Sequence, residues 1–504
     1  MSDTRLSIRP RVWDNGSGDA PPSRIKQPAP PPDRLPDPAD VYDASAGVPM
    51  PQRITAIAAV SFGSALVVID GAIPTVALPR IAIDLHVDSA SVVSIITIYQ
   101  LILVMALLPF SGLGDRIGLK RMYQIGQLIF TVATLLCFFA KSLPFLLVVR
   151  VAQAIGAAAT LSVSSALVRS IYPSRQLGRG LALNSMVVSS GAAIAPTLGG
   201  LVLGIAPWPW VFASAVPFAI LSLLFGRSLP DPRARPEPFD LLGALMCAAM
   251  FGLVIGGLES AVHGDSPVVS AAVVVAGLLI GVLIVRKQRD EAAPILPIDL
   301  IRRPVIALSV TGGFLAFIAS MTLILSMSFR LQHQFGFSPS EAGAAIGIWP
   351  LTMMVVAPAS GALSDRYPAG LLGAIGMSIG VAALLLIAFM PAHSDYWDVA
   401  WRMAFAGLGF GMYMSPNARL IIGSAPRDRV APAGGLVSTT RLVGQTTGAT
   451  AVAALLALGI GSGPAPALLG AGLAFIAGVC SVARLRPAIR NPGAAEAVEV
   501  EGTG

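Results

Sequence analysis

The sequence predicts an all-α polytopic membrane protein, and two observations support this prediction. Hydrophobic residues make up 55% of the 504 residues and charged residues only 12%, about half the charged fraction of an ordinary soluble domain. From Ile54 onward, apolar stretches of about 20 residues recur, and each is long enough to cross a hydrocarbon core about 30 Å thick. Because lipid offers the backbone no hydrogen-bond partners, these stretches are expected to be helices.

The apolar stretches predict about fourteen transmembrane helices, with six before residue 230, two in the middle and six after residue 303. Glycine and proline inside them are compatible with this assignment, because small residues let helices pack closely in lipid. The approximate spans are 54–77, 91–111, 122–140, 145–168, 180–204, 210–229, 239–259, 267–285, 304–328, 341–363, 369–390, 400–422, 433–458 and 464–483.

These helices divide the chain into five parts. The first part is polar and rich in proline, so it cannot bury enough apolar surface to fold and is predicted to be disordered. It lacks the apolar core of a signal peptide and is not expected to be one. The parts are this cytoplasmic tail (1–52), a six-helix bundle (53–230), two linker helices with their loops (231–303), a second six-helix bundle (304–485) and a cytoplasmic tail (486–504).

Basic residues are concentrated in alternate loops. Arg116, Lys120 and Arg121 share one loop, whereas the next loop contains only Lys141. Because cytoplasmic loops retain lysine and arginine, the pattern predicts a multi-pass protein of the inner membrane with both termini in the cytoplasm. The net charge of +7 then reflects topology, so the lipid bilayer is the expected partner and nucleic acid is not.

Several function classes find no support in the sequence. Cys137, Cys247 and Cys480 lie inside apolar stretches, so no disulfide framework or metal site is expected. The four histidines map to predicted outer loops without metal-ligand spacing. The chain has no Gly-x-x-x-x-Gly-Lys-Ser/Thr loop for nucleotide phosphates. The sequence therefore favours neither an enzyme nor an ATP-driven pump, and no cofactor is expected other than a proton as the coupling ion.

An internal repeat indicates two related halves. Asp115 and Asp365, each followed by an arginine, lie 250 residues apart at the end of the second span of their half. Arg150 and Arg402 lie 252 residues apart at the start of the fourth span. Duplicated halves with a substrate site at their interface are typical of secondary transporters.

Four short motifs accompany this repeat in the first bundle. They are Ile69–Pro79 in the first span, Leu113–Arg121 after the second, Arg150, Gln153 and Gly156 in the fourth, and Gly191, Pro196, Gly199 and Gly200 in the fifth.

These motifs resemble those of the major facilitator superfamily, in particular its fourteen-helix drug:proton antiporter branch of the methyl viologen and quaternary ammonium resistance type. The resemblance extends from about residue 54 to 485 and implies two six-helix bundles with two extra helices between them. Ser111, Ala154 and Ala195 stand where the family usually has glycine, and Pro209 stands where it often has arginine. These departures concern substrate and coupling more than fold.

Asp70 and Arg150 are the candidate proton and cation coupling residues. An ionised carboxylate inside the first span costs at least about 3 kcal/mol, and such a group can exchange a proton for a cationic substrate. The alternative is an Asp70 that hydrogen bonds to neighbouring helices or faces an outer vestibule. By resemblance, Arg150 tunes the protonation of a nearby carboxylate; otherwise it extends to the membrane interface.

The motif after the second span is a candidate gate, and the fifth-span motif is a candidate hinge. A carboxylate at a helix end can bind the N-terminus of a facing helix, and breaking that contact would open the cytoplasmic side. For the fifth span, close helix packing explains the glycines almost as well as a hinge. The gating residues are Asp115, Arg116, Gly118, Lys120, Arg121, Asp365 and Arg366, and the hinge residues are Gly191, Pro196, Gly199 and Gly200.

Two other acidic residues have more local explanations. Glu341 follows Ser338-Pro339-Ser340 and is predicted to cap its helix. Glu259 ends the seventh span in the linker pair, where a functional role is not favoured. Helix position alone suggests the residues that line a substrate cavity, namely Tyr99, Gln100, Gln153, Phe314, Met327, Met414, Asn417 and Arg441.

The sequence thus predicts a proton-coupled multidrug efflux antiporter that exports lipophilic, cationic small molecules by alternating access. The alternative is a proton-coupled exporter, or less favourably an importer, of a specific metabolite. A monomer is expected, and a periplasmic adaptor protein is left open as a partner.

Overall fold

The structure is a computed structural model that describes most of the chain after the N-terminal tail. The predicted disorder of the N-terminal tail (1–52) concerns residues that, up to residue 46, lie outside the described part, as does the predicted C-terminal tail beyond residue 486. Described are residues 47–173, 176–231, 240–262, 264, 266–288, 297–391, 393–426 and 429–486.

The described part is almost entirely α-helical, with short 3-10 and π turns and no β-strand. The α-helices are α1 Gln52–Ala72, α2 Pro74–Asp84, α3 Ser94–Ile117, α4 Leu119–Cys137, α5 Leu143–Ile171, α6 Leu177–Ile205, α7 Pro209–Ala213, α8 Val216–Phe225, α9 Leu241–Val262, α10 Pro267–Lys287, α11 Ile298–Ile301, α12 Pro304–Phe329, α13 Pro339–Leu363, α14 Ala369–Ala388, α15 Tyr396–Gly423, α16 Val430–Ala457 and α17 Ala465–Ala483.

Each of the fourteen predicted spans coincides with a helix or with a pair of consecutive helices. The first span is α1 followed by α2, which begins at Pro74, and the sixth is α7 followed by α8. Within the described ranges, eleven helical segments are long and apolar enough to cross a membrane, judged by length and composition. Helices α4, α15 and α16 fall outside this group. That these three also cross the membrane stays a prediction, supported by their packing against α5, α13, α14 and α12.

The described helices pack in two groups, which we compare with the predicted bundles. In the first, α5 packs against α3 and α4, and α1 packs against α5, α6 and α8. In the second, α15 packs against α13 and α14, α17 packs against α12 and α14, and α16 packs against α12. The linker helices α9 and α10 pack against each other, and α9 also contacts α3 and α16. The linker pair therefore lies against both bundles.

Polar contacts outside the membrane spans hold the ends of the linker. Arg429, just before α16, donates hydrogen bonds to Asp299 in α11 at 2.9 and 2.7 Å. These hydrogen bonds hold the pKa of the Asp299 carboxyl below its usual range. Lys287 at the end of α10 lies 2.9 Å from Asp240, just before α9. Both ion pairs are at the end of the molecule where basic loops are concentrated, which we call the arginine-rich end.

The bundles meet at the opposite end, which we call the arginine-poor end. Gln332 donates to the carbonyl oxygen of Val76 at 3.0 Å, and Ser340 donates to that of Gly200 at 2.9 Å. A β-carbon on Gly200 would lie 2.7 Å from the Pro339 carbonyl oxygen, so only glycine allows this approach of α6 and α13. Of the described hydrogen bonds between the bundles, the one nearest the arginine-rich end is from Ser190 to Met354. The others lie closer to the arginine-poor end. The bundles are thus closed together at the arginine-poor end.

Close helix packing inside each bundle relies on glycines that follow the sequence repeat. A β-carbon on Gly156 of α5 would lie 2.5 Å from the backbone nitrogen of Phe130 in α4. In the second bundle, a β-carbon on Gly409 of α15 would lie 2.5 Å from the backbone nitrogen of Gly380 in α14. Such distances leave no room for any side chain, so the same helix pair is in backbone contact in both halves.

We expect Gly156→Ala and Gly409→Ala each to destabilise the protein by about 1–3 kcal/mol, because the added methyl group forces two backbones apart. Gly472→Ala on α17 is the control, since a β-carbon there meets nothing within 4 Å. Thermal unfolding of the purified protein in detergent measures the effect. Equal midpoints for all three variants would show that the close backbone contacts contribute little.

Candidate functional site

A buried ion pair lies inside the first bundle. Asp70 on α1 and Arg150 on α5 are both fully buried, and their Oδ2 and Nη1 atoms lie 2.7 Å apart. The other carboxylate oxygen of Asp70 accepts a hydrogen bond from Gln153 Nε2 at 2.9 Å. Arg150 and Gln153 are three residues apart on one helix and therefore share a face. The two residues of the fourth-span motif thus hold the carboxylate of the first-span motif.

Further contacts fix the arginine. Its Nη1 donates to Gln153 Oε1 at 2.7 Å, and its Nε donates to the Ile95 carbonyl oxygen at 3.3 Å. The guanidinium carbon lies 4.1 Å from the centre of the Tyr99 ring and 5.5 Å from that of Phe212. Aromatic faces attract cations, most strongly where water is excluded. The remaining nitrogen, Nη2, is buried and has no hydrogen-bond partner among the described groups.

The network continues from Gln153 into α4. Gln153 Nε2 also donates to Thr134 Oγ1 at 2.8 Å, and Thr134 donates to the Phe130 carbonyl oxygen one turn earlier. The network therefore joins α1, α3, α4 and α5. Because it is closed to solvent and contains one carboxylate and one guanidinium, its net charge is zero when Asp70 is ionised.

A cavity of about 150 Å³ lies next to this network, between the two bundles. Tyr99 belongs to both sites, since its ring covers Arg150 and also lines the cavity. Asp70 and Arg150 themselves are not among the lining residues. The cavity is lined by Val67, Val68, Gly71, Ala72, Thr75, Tyr99, Gln100, Leu103, Leu161, Ala192 and Pro196 of the first bundle and by Met321, Ile324, Trp349, Pro350, Arg441, Leu442 and Gln445 of the second.

Three of the residues suggested for the substrate cavity line it. Tyr99 and Gln100 reach it from α3, and Arg441 reaches it from α16. They are contributed by both bundles, as expected for a site at the interface of duplicated halves.

The structure places the other five suggested residues elsewhere. Gln153 belongs to the ion-pair network. Met327 is buried in the core of the second bundle, and Phe314 packs against α16 at Gly444. Met414 and Asn417 line a separate cavity of about 20 Å³ inside the second bundle. These four positions in the second bundle were chosen from helix position alone, which does not specify the face that points to the bundle interface.

Asn417 instead binds a buried arginine near the C-terminal end of α17. Arg484, just after α17, is 5% exposed. Its Nη1 donates to Asn417 Oδ1 at 2.6 Å and to Ser309 Oγ at 2.9 Å. Its Nη2 donates to Ser481 Oγ at 2.5 Å. Nothing in the local sequence distinguishes this buried arginine from the exposed Arg486 two residues later.

The gating motif of the first bundle lies at the arginine-rich end. Asp115, Arg116 and Arg121 are exposed. Gly118 separates α3 from α4 with a φ of +101°, a conformation that favours glycine. Lys120 donates to the Arg227 carbonyl oxygen at 2.9 Å and so ties α4 to the end of the sixth span.

The corresponding motif of the second bundle forms an ion pair that the sequence did not reveal. Asp365 pairs with Arg419 of α15. Arg419 also donates to the Gly361 carbonyl oxygen at 2.8 Å and to Ser364 Oγ at 3.0 Å. Arg366 is exposed. In this structure the Asp365 carboxylate therefore binds an arginine of its own bundle.

The fifth-span motif packs α6 against two neighbours. β-Carbons on Gly191 and Gly199 would lie 3.0 Å from Ile69 and 2.8 Å from the Ile73 carbonyl oxygen, on the first span. Gly200 contacts α13 of the other bundle, and Pro196 lies inside α6 and lines the cavity. These contacts account for the small residues by packing, and the hinge stays a prediction.

Glu341 has the local role that the sequence predicted, whereas Glu259 has a further contact role. Glu341 and Ser338 form the predicted capping box at the start of α13. Glu259 on α9 accepts hydrogen bonds from Thr97 of α3 and Thr450 of α16, each at 2.9 Å. It therefore bridges the two bundles, a role that its place in the linker pair did not suggest.

Within the described ranges, no group of three or more His, Cys, Asp or Glu residues could hold a metal ion.

Comparison with known proteins identifies the family. The family model of the Major Facilitator Superfamily matches residues 60–449, and a second match covers residues 309–501. The chain belongs to this superfamily. A solved peptide transporter of the POT type, in complex with sulfate, has a TM-score of 0.68 at 16% identity. The alignment covers 89% of this chain and 98% of that structure, and it bears on the fold alone. The chain is thus a transporter of the major facilitator type.

Curated relatives of this superfamily member have different names. The uncharacterized transporter YebQ of Escherichia coli K12 is 42% identical over 413 residues, which is 81% of this chain and 90% of YebQ. The riboflavin transporter RibZ of Clostridioides difficile is 25% identical, and the alignment covers 78% of this chain and 86% of RibZ. The methyl viologen resistance protein SmvA of Salmonella typhimurium LT2 is 29% identical, and the alignment covers 73% of this chain and 76% of SmvA.

The buried ion pair makes a prediction for stability. Asp70→Asn leaves the Arg150 charge buried without a counter-ion, and Arg150→Gln does the same to the Asp70 charge. Each variant should therefore lower the free energy of unfolding by about 3–5 kcal/mol. The double variant should be clearly more stable than the sum of the single losses implies, because it removes both charges together. Thermal unfolding in detergent compares the four proteins.

The exposed pair Asp365–Arg419 supplies the control for this cycle. Asp365→Asn should cost less than about 1 kcal/mol, because water already solvates that carboxylate. Strictly additive losses at Asp70 and Arg150 would contradict a direct interaction between the two charges.

Proposed function

We propose that the protein is a proton-coupled exporter of amphipathic small molecules that works by alternating access, with Asp70, Arg150 and Gln153 as the proton site. The observation that carries this proposal is the fully buried carboxylate, paired with an arginine and separated by one aromatic ring from a cavity that both bundles line.

Protonation of Asp70 is the step that couples the two sites. A proton on the carboxylate removes the charge that compensates Arg150, and an uncompensated buried arginine costs several kcal/mol. The guanidinium must then find another partner or become solvated, and either change displaces the Tyr99 ring that covers it. Because Tyr99 also lines the cavity, the proton site and the cavity cannot change independently.

The arrangement of the bundles supports alternating access. The bundles contact one another at the arginine-poor end through Gly200 and Ser340, and Glu259 bridges them through Thr97 and Thr450. With the arginine-rich end in the cytoplasm, as the positive-inside rule favours, this is a state closed to the outside. The proposal places the protein in the inner membrane as a monomer with both termini cytoplasmic, and leaves a periplasmic adaptor open.

Two kinds of substrate follow from the relatives. Likeness to SmvA, a methyl viologen resistance protein, supports drug efflux. Likeness to RibZ, a riboflavin transporter, supports transport of a specific metabolite. The cavity favours the metabolite in one respect, because among the described residues that line it the one charged side chain is the cation Arg441.

Proton flux in vesicles tests the proposal. The purified full chain is reconstituted into proteoliposomes that contain a pH-sensitive dye, and methyl viologen or riboflavin is added outside. We expect at least one compound to cause a pH change with the wild type, and Asp70→Asn to reduce that change to the level of protein-free vesicles.

Asp84→Asn is the matched control, because Asp84 is an exposed aspartate of α2 paired only with Arg80 across one turn. It should behave like the wild type. A pH change of wild-type size with Asp70→Asn would remove Asp70 from the coupling mechanism.

A further inference from the structure

We infer that the cavity between the bundles binds substrates that carry an anionic group on a ring-sized body, with Arg441 as the residue that binds the anion. This inference rests on the proposed function, in that it takes the cavity as the transport site, and it assigns the class of substrate. It departs from the cationic substrates that the sequence suggested.

Arg441 presents an unsatisfied cation to the cavity. It lies in the middle of α16 and lines the cavity. Within the described part of the chain it takes part in none of the salt bridges, and none of the hydrogen bonds involves its guanidinium. By contrast Arg150, the other arginine near the cavity, has Asp70 as its counter-ion.

The nearby carboxylates are engaged elsewhere. Asp70 is fully buried and bound to Arg150 and Gln153, and the Tyr99 ring covers its partner Arg150. Glu259 accepts a hydrogen bond from Thr450, which is nine residues beyond Arg441 on α16 and so about 13 Å along the helix axis. The described residues that line the cavity include no acidic residue.

The charge of the cavity therefore selects among ligands. A guanidinium in a site of low dielectric is stabilised by a carboxylate, which it can bind through two parallel hydrogen bonds. A ligand cation in the same cavity meets a like charge that no lining carboxylate offsets, and this repulsion is strongest where water is excluded. An anionic ligand satisfies Arg441, whereas a cationic ligand adds to the imbalance.

Two further polar groups and the apolar lining indicate the size and the uncharged part of the ligand. Gln100 Oε1 and Trp349 Nε1 are buried in the lining without a hydrogen-bond partner in the described structure. They offer an acceptor from the first bundle and a donor from the second. The volume of about 150 Å³ is comparable with that of an engineered apolar cavity that holds benzene. A ligand with an aromatic ring and an acidic group matches these features and contacts both bundles at once.

Three naphthalene derivatives of the same ring size test the inference. They are 1-naphthoate, the neutral 1-naphthamide and the cationic 1-naphthyltrimethylammonium. Isothermal titration calorimetry measures their affinity for the detergent-purified full chain at neutral pH. We expect the naphthoate to bind at least about tenfold more tightly than the ammonium compound, which corresponds to one ion pair of modest strength.

Variants assign the preference to one residue. Arg441→Gln should reduce naphthoate affinity by about tenfold or more, while Arg441→Lys should keep part of it because the positive charge remains. Arg169→Gln, an exposed arginine of α5, is the control and should bind like the wild type. Thermal unfolding of each variant verifies that it is folded before titration.

Three results would overturn the inference: tighter binding of the ammonium compound, equal naphthoate affinity in Arg441→Gln and wild type, or no binding of any of the three compounds. None of these results touches the proton site. The Asp70-dependent pH change in vesicles remains a separate test, so the substrate class can fail while the proposed function stands.

Discussion

The ion pair between Asp70 and Arg150 is the constraint on which the mechanism depends. Both groups are fully buried in a bundle that, in lipid, has no water to compensate a lone charge. The ion pair is stable only while both charges are present and in contact, and the other contacts of the network hold the two side chains in place. Gln153 binds both members, Tyr99 covers the arginine, and Thr134 connects the network to α4. Any change in the protonation of Asp70 must therefore be accompanied by a rearrangement.

The packing of the helices determines where that rearrangement can occur. Inside each bundle, glycines bring helix backbones into direct contact, as at Gly156 and Gly409, so the bundles are stiff. Between the bundles, α6 packs closely along α13, where a β-carbon on Gly343 would lie 2.6 Å from the Pro196 carbonyl oxygen, and single hydrogen bonds from Ser340 and Gln332 join the arginine-poor end. Glu259 adds a third connection through the linker helix α9. Movement of one bundle against the other must therefore break or shift these contacts, together with those of α3 with α16 and of α2 with α12.

The fold could be predicted from the sequence because composition and span length are properties of whole helices. Asp70, Arg150 and Arg441 stood out for a similar reason, since charges are rare in apolar stretches. Their partners could not be predicted. Asp70 and Arg150 are 80 residues apart, and only the packing of α1 on α5 brings them together. Arg419 was missed because its carboxylate partner, Asp365, is 54 residues away in the turn after α13.

Helix position proved a weak guide to the cavity. Met327 and Asn417 are at suitable depths, yet their helix faces point into the second bundle, where they meet core residues and Arg484. The role of Glu259 was underestimated because the linker helices are absent from the repeat. It became visible only when α9 was found between α3 and α16.

The most direct test of this mechanism is the infrared difference spectrum of the purified protein recorded across a pH titration. A protonated carboxyl group has a carbonyl-stretch band that a carboxylate lacks, so the measurement needs no knowledge of the substrate. The other acidic residues give bands of the same kind, so Asp70 is identified by the component that its substitution removes. We expect Asp70→Asn to remove one component of the pH-dependent band and Glu259→Gln to leave that component in place. An unchanged band in Asp70→Asn would contradict the account, because the carboxyl group that takes up the proton would then lie elsewhere.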